Sequence, residues 1–192
     1  MNAPVSTPPS PSLSSDELLV ARLRSGDAAA GETLVDRHCE ALLRYLQKLT
    51  RSRHAAEELH QQTWTSVLDH LDRFNASVSG GFKAWLFRIA TNKVNDYWRS
   101  RGREIVVMEG LRLVRDTESV DPSARIDMDE QVGQLKQAIE QLPVNQKQVV
   151  MMRYYGDMKF VEIAQALGCP LNTALGRMHK AMLRLKQAMS RP

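Results

Sequence analysis

Between Phe82 and Arg101 apolar side chains return every three or four residues, at Phe82, Trp85, Leu86, Ile89 and Tyr97 with Lys93 in register, and no proline interrupts them. That spacing matches the turn of an α-helix and lays a continuous apolar stripe along one side, so this segment must be a helix packed against other elements. At about 100° per residue, Arg88, Thr91, Asn92, Asn95 and Arg99 fall on a second stripe, and Arg101 and Arg103 carry positive charge past the helix end. No segment elsewhere shows strand alternation. The fold class read from the pattern is therefore all-α.

A helix of this kind needs partners, and the residues before it supply them. Ser14, Ser15, Asp16 and Glu17 provide cap chemistry for a short helix carrying Leu18, Leu19 and Leu23, which Gly26 ends. Asp27 can cap a second helix reaching about Thr50, with Leu34, Val35, Leu42, Tyr45, Leu46 and Leu49 as its stripe. A third, from about Ser52, lines Ala56, Leu59, Thr63, Val67 and Leu71 along one side and leaves Glu57, Glu58, Gln61, Gln62 and Trp64 largely outside it. Asn75 to Gly81 reads as a polar loop, and His38, His54, His60 and His70 as surface or boundary residues. Met1 to Leu13, rich in proline and serine, reads as a disordered tail (residues 1–13).

From Glu104 to Arg125 periodicity fades and glycine, serine, proline and acidic residues appear, the signature of a linker (104–125) between two small helical domains, 14–103 and 126–192. Helical patterning resumes with Val132, Leu135, Ile139 and Leu142, stops at Pro143, and restarts through Val149, Val150 and Met152 before Gly156. Lys159 to Leu167 is a short helix, Gly168 suits its end, and Cys169-Pro170 breaks the chain. Asn172 or Thr173 then opens a longer helix with Ala174, Met178, Ala181 and Leu185 at core spacing and Thr173, Arg177, Lys180 and Arg184 along another face. Two such helices form a helix-turn-helix whose second member carries cations for phosphates and guanine edges, and whose Asn172 and Thr173 end offers backbone N–H groups.

Composition narrows the classes. Lysine and arginine outnumber aspartate and glutamate by 26 to 22, a net charge of +4, which permits a polyanionic partner without demanding one. The two cysteines, Cys39 and Cys169, lie far apart and suggest neither a metal motif nor a disulfide framework, so reduced thiols and a cytoplasmic protein are expected. No apolar run approaches the roughly 20 residues that span a bilayer, so no membrane insertion is expected. With no phosphate-binding glycine loop, nucleophile elbow or metal-spaced cluster, neither an enzyme nor a cofactor is expected.

The stretches AEELHQQTW, FKAWLFRIATNKVNDYWRSR and FVEIAQALGCPLNTALGRMHKA look like the signature segments of the extracytoplasmic-function sigma factors of bacterial RNA polymerase, in that family's order. The resemblance spans about Asp16 to Met189. It implies a sigma-two domain, a linker and a sigma-four domain that dock on core polymerase. It places Glu57, Glu58, Gln61, Gln62 and Trp64 on the polymerase, and Asn92 where the family's base-pocket asparagine stands, with Arg88, Asn95, Arg99, Arg101 and Arg103 for minus-ten phosphates and strand and Trp98 as an open aromatic.

In the recognition helix, Asn172, Thr173, Arg177, His179, Lys180 and Arg184 are the implied minus-thirty-five contacts. Leu175 and Gly176 replace residues that are usually polar there, and the loop before Phe82 is slightly long. The resemblance also implies an anti-sigma partner, which could hold the protein at a membrane. Two other readings fit the helix-turn-helix alone: a symmetric duplex-binding repressor or activator, and a helical module whose basic stripe meets an acidic protein.

Overall fold

The computed structural model describes residues 15–108 and 128–190, with backbone alone for 15, 102–108 and 128–130. The expected tail and most of the expected linker lie outside the described residues. Nine α-helices are found among the described residues, in the order α1 (Ser15–Arg24), α2 (Ala28–Thr50), α3 (Arg53–Asp69), α4 (Ala76–Ser79), α5 (Phe82–Met108), α6 (Met128–Glu140), α7 (Val144–Tyr154), α8 (Phe160–Ala166) and α9 (Leu171–Met189), with a 3-10 turn at Leu71–Arg73.

Helices α1 to α5 pack around a core in which Leu34, Leu42, Tyr45, Leu46, Phe82, Leu86 and Phe87 are buried. Burying each of these large side chains stabilises the bundle by about 1.5–3 kcal/mol. Phe74, Phe82 and Trp85 gather at one end with ring centroids 5.1–6.0 Å apart, tilted or edge-on as aromatic quadrupoles prefer. Helix α2 ends on Arg51 at φ 60 and α3 starts on Ser52, whose hydroxyl accepts the Ala55 N–H at 3.3 Å. The two-residue connection forces α2 and α3 to run antiparallel as neighbours.

The loop expected at Asn75 to Gly81 contains the single turn α4. Asn75 caps it by accepting the Ser77 N–H at 3.0 Å, and Gly80 and Gly81 take φ 74 and 93, which turn the chain into α5. Helix α5 runs past the expected end at Arg101 to Met108, because Glu104 to Met108 contains neither glycine nor proline to stop it.

Helices α6 to α9 form the second bundle, with α9 touching α6, α7 and α8 over Val149, Met152, Ile163, Ala174, Ala181 and Leu185. Helix α9 starts at Leu171, just after Pro170, slightly earlier than the expected Asn172 or Thr173. The bundles touch each other through α5 with α8 and α2 with α7.

Candidate nucleic-acid interface

Helix α5 turns Leu86, Phe87, Ala90, Thr91 and Val94 into the first bundle, which shifts the buried side from the stripe read in the sequence. Thr91 was expected on the polar stripe; it is 3% exposed, and its Oγ1 lies 2.8 Å from the Tyr45 hydroxyl. Burial pushes the Tyr45 phenol up, so it remains a neutral hydrogen-bonding group. Wheel geometry with one buried side misses Thr91 because α5 is enclosed on two.

The rest of that stripe divides. Asn92 is exposed, and its side-chain amide makes no hydrogen bond among the described residues. Arg99 is exposed and pairs with Asp96 at 2.7 Å, while the Arg101 guanidinium stacks over the Tyr97 ring 5.4 Å from its centroid. Trp98 keeps 38% exposure while its indole N–H donates to the Leu49 carbonyl at 3.1 Å, which fixes the ring at the bundle edge. Arg103 lies on the backbone of α5. Arg88 and Asn95, in contrast, are half-buried and engaged by the second bundle: Arg88 donates from Nε and Nη2 to the Gln165 carbonyl at 3.1 and 2.5 Å, and Asn95 Oδ1 accepts from Gln148 Nε2 at 2.9 Å.

On α3, Glu57, Glu58, Gln61 and Gln62 are exposed as a ridge. Gln61 and Gln62, with Thr65, Ser66 and Lys93 of α5, line a shallow groove of about 290 Å³. Trp64 is half-buried 6.4 Å from the Phe82 ring, and its indole N–H donates to His60 Nε2 at 3.2 Å. Burial pushes the His60 imidazole down, so its ring stays neutral and can accept that proton.

On α9, Asn172, Thr173, His179, Lys180 and Arg184 are exposed. The Thr173 and Ala174 N–H groups both reach the Pro170 carbonyl, at 2.9 and 3.2 Å, which leaves those of Leu171 and Asn172 as the open donors of the first turn. Arg177 is half-buried, with Nη1 3.9 Å from Cys169 Sγ, and Arg184 donates to Gln146 Oε1 at 3.3 Å. Leu175 is 40% exposed, and a Cβ built on Gly176 would meet no atom within 4 Å.

The family Sigma-70 region 2 matches residues 34–104 and Sigma-70, region 4 matches residues 133–185. The chain is 30% identical over 173 residues to the ECF RNA polymerase sigma factor SigE of Mycolicibacterium smegmatis, covering 87% of this chain and 65% of that one. It is 25% identical over 184 residues to the RNA polymerase sigma-H factor of Pseudomonas aeruginosa, covering 91% and 93%. It belongs to the extracytoplasmic-function sigma factors.

Two solved structures share the fold of this sigma factor. CnrH in complex with the cytosolic domain of CnrY has a TM-score of 0.66 at 24% identity, covering 90% of this chain and 96% of that one. The sigma factor RpoE in complex with the anti-sigma factor NepR from Bartonella quintana has a TM-score of 0.65 at 23% identity, covering 83% and 98%. As a sigma factor the chain confers promoter-specific initiation on RNA polymerase and is no enzyme; the two alternative readings of its helix-turn-helix are thereby set aside. Among the described residues of the factor, no helix is long and apolar enough to cross a membrane.

Several structural residues of the factor escape sequence reasoning. His38 was expected as a surface or boundary residue; it is buried at 5% exposure, with Nε2 2.8 Å from Asp16 Oδ2, and Arg37 pairs with the other carboxylate oxygen. Burial works to raise the Asp16 carboxyl, but the His38 and Arg37 contacts outweigh it and hold the group below the usual carboxylate range. Gln146, Lys147 and Gln148 are polar yet only 7%, 6% and 6% exposed: Gln146 accepts from Arg184 of α9, Lys147 pairs with Glu140 of α6, and Gln148 donates to Asn95 of the other bundle. The one available signal was a run of polar residues directly before Val149 and Val150, inside a helix too short to be polar all round.

Proposed function

We propose that this sigma factor reads the minus-ten element as a melted strand through α5 and the minus-thirty-five element as duplex through α9, from two domains at 14–103 and 126–192 joined by a linker at 104–125. Asn92 forms the base contact, since its amide can donate and accept toward a base edge. Arg88, Asn95, Arg99, Arg101 and Arg103 hold the strand, and Trp98 offers a partly open ring beside them. The observation that carries this reading is the solvent-open amide of Asn92 on a helix otherwise enclosed on two sides, inside the stretch that matches region 2.

The exposed ridge Glu57, Glu58, Gln61 and Gln62, with Trp64 beneath it, is the proposed contact with core polymerase. On α9 the proposed minus-thirty-five set is Asn172, Thr173, Arg177, His179, Lys180 and Arg184, with the open N–H groups at the helix start meeting a phosphate. An anti-sigma factor is a further proposed partner, supported by the related sigma factor RpoE, which is bound to the anti-sigma factor NepR, and the factor itself is proposed to act in the cytoplasm.

In vitro transcription with purified core polymerase tests the reading. With the factor present, new start sites should share two spaced upstream elements. Asn92→Ala should impair open-complex formation, followed by permanganate reactivity, while binding to core polymerase stays within about twofold of the parent. Loss of core binding instead would move Asn92 out of the promoter site.

A further inference from the structure

Helix α9 presents to solvent one side chain whose chemistry differs from that of its polar neighbours. Leu175, in the second turn, is 40% exposed. At about 100° per residue it lies about 60° round the helix from Asn172 and about 40° from His179, both exposed. The core side of α9, marked by Ala174, Ala181 and Leu185, lies about 80–120° away, and Arg177, Lys180 and Arg184 lie about 140° or more away on the other flank. Gly176 follows Leu175 and adds no side chain that could shade it.

A single exposed leucine on a helix surface ordinarily calls for no explanation. Its place on a helix that reads a duplex changes that. In a helix-turn-helix the N-terminal residues of the second helix are the ones that reach base edges in the major groove. A leucine can pair with none of the phosphates, donors or acceptors found there; the apolar group that the bases display is the 5-methyl of thymine. Cytosine carries only a hydrogen at the same ring position, so an apolar side chain in contact with it distinguishes the two pyrimidines. The rest of α9 has the complementary chemistry. Lys180 and Arg184 are exposed cations suited to phosphates, as are the open N–H groups of Leu171 and Asn172 at the helix start. Phosphates held at those places turn the side with Asn172, Leu175 and His179 toward the bases.

We propose that Leu175 is a specificity residue of this sigma factor: its side chain packs on the 5-methyl group of one thymine in the minus-thirty-five duplex. The proposal rests on the assignment of α9 to that element. One methyl withdrawn from water is worth about fourfold in affinity. The competing occupant is a protein, because Leu171 and Met182 are exposed on the same flank. A protein would cover that flank as a whole, whereas base reading uses Leu175 and leaves Met182, about 10 Å further along the helix axis, without a role.

The test uses reconstituted holoenzyme and promoter duplexes carrying the minus-thirty-five element shared by its in vitro start sites. Deoxyuridine replaces the thymines of that element one at a time, on either strand, which removes the methyl and leaves the hydrogen-bonding edges in place. At one position the replacement should weaken closed-complex formation by the parent about fourfold. Leu175→Ala holoenzyme should bind the thymine and uracil duplexes equally at that position, and Met182→Ala should keep the parent's discrimination. Alanine suits an exposed helix position, so the fold should withstand both changes.

An element without an A·T pair, a parent indifferent to every deoxyuridine, or a methyl effect that persists undiminished in Leu175→Ala would each overturn the proposal. So would weaker binding to core polymerase in both Leu175→Ala and Met182→Ala, which would give the apolar flank to a protein. Scrambling the element separates the two ideas. If that costs the parent nothing, the assignment of α9 fails and the thymine contact with it. If scrambling abolishes closed complexes while no deoxyuridine matters, the thymine contact alone fails.

Discussion

Asp16 illustrates how much a single side chain can carry when it is placed between an imidazole and a guanidinium. Its carboxyl is held low by His38 and Arg37 against the pull of burial, so its contribution is fully present above the ordinary carboxylate range and is lost as the pH falls through its folded value. Asp16→Asn should therefore cost about 1–3 kcal/mol at neutral pH, and the gap between variant and parent should close in acid. Urea unfolding at a series of pH values checks both halves, and a gap that widened in acid would contradict the sign. Arg177 is the other residue on which a prediction turns. If it reads a base, Arg177→Ala should weaken minus-thirty-five-dependent transcription by about 1–3 kcal/mol, measured on promoters with and without that element. Its contact with Cys169 implies that the side chain must first leave the turn of the helix-turn-helix.

Among the elements, α5 was the most legible in sequence and still the most informative to see. The spacing of Phe82, Leu86 and Ile89 sufficed to make it a buried helix, since apolar periodicity needs no knowledge of partners. Thr91, Asn95 and Arg88 were legible only as a polar stripe. Their separate fates, one in the core, two in a contact with the other bundle and Asn92 left to solvent, depend on long-range packing that no local pattern encodes. His38 was misread for the same reason, because its partner Asp16 sits on another helix. A short connection is the other lesson at this scale. Arg24 donates to the Leu71 and Phe74 carbonyls at 2.5 and 2.6 Å, so α1 anchors the 3-10 turn that precedes α4 and α5. Arg24→Ala should destabilise the first bundle by about 1.5–3 kcal/mol, and hydrogen exchange should show the loosening concentrated at residues 70–80. Uniform loosening would mean that the anchor is not local.

For the whole molecule, salt should act on the contact between the bundles as well as on DNA binding. The bonds between bundles include exposed charge pairs such as Arg51 with Glu140, which mobile ions screen. Raising the salt from about 0.1 to about 0.5 M should therefore enlarge the radius of gyration measured by X-ray scattering, even as the same ions weaken phosphate binding. A radius independent of salt would show that apolar packing such as Phe87 against Gly156, and not charge, holds the bundles together. The helix-turn-helix and its cations were visible in the sequence because both are local. The buried polar run Gln146 to Gln148 was not, because its partners, Arg184, Glu140 and Asn95, lie on three other helices.

Gly176 has an implication of a different kind. On α9 it stands between Asn172 and Lys180 with open space where a side chain would begin, so the interior of the fold is indifferent to what occupies it. Alanine there should raise stability by about 0.5–1 kcal/mol simply by relieving the entropy of a helical glycine. Larger residues would add functional groups to the outward surface with the rest of the chain as a bystander. Position 176 is thus a vacant socket, and a saturation library at this one codon, selected against a panel of promoters, is a direct route to retargeting the protein without rebuilding it.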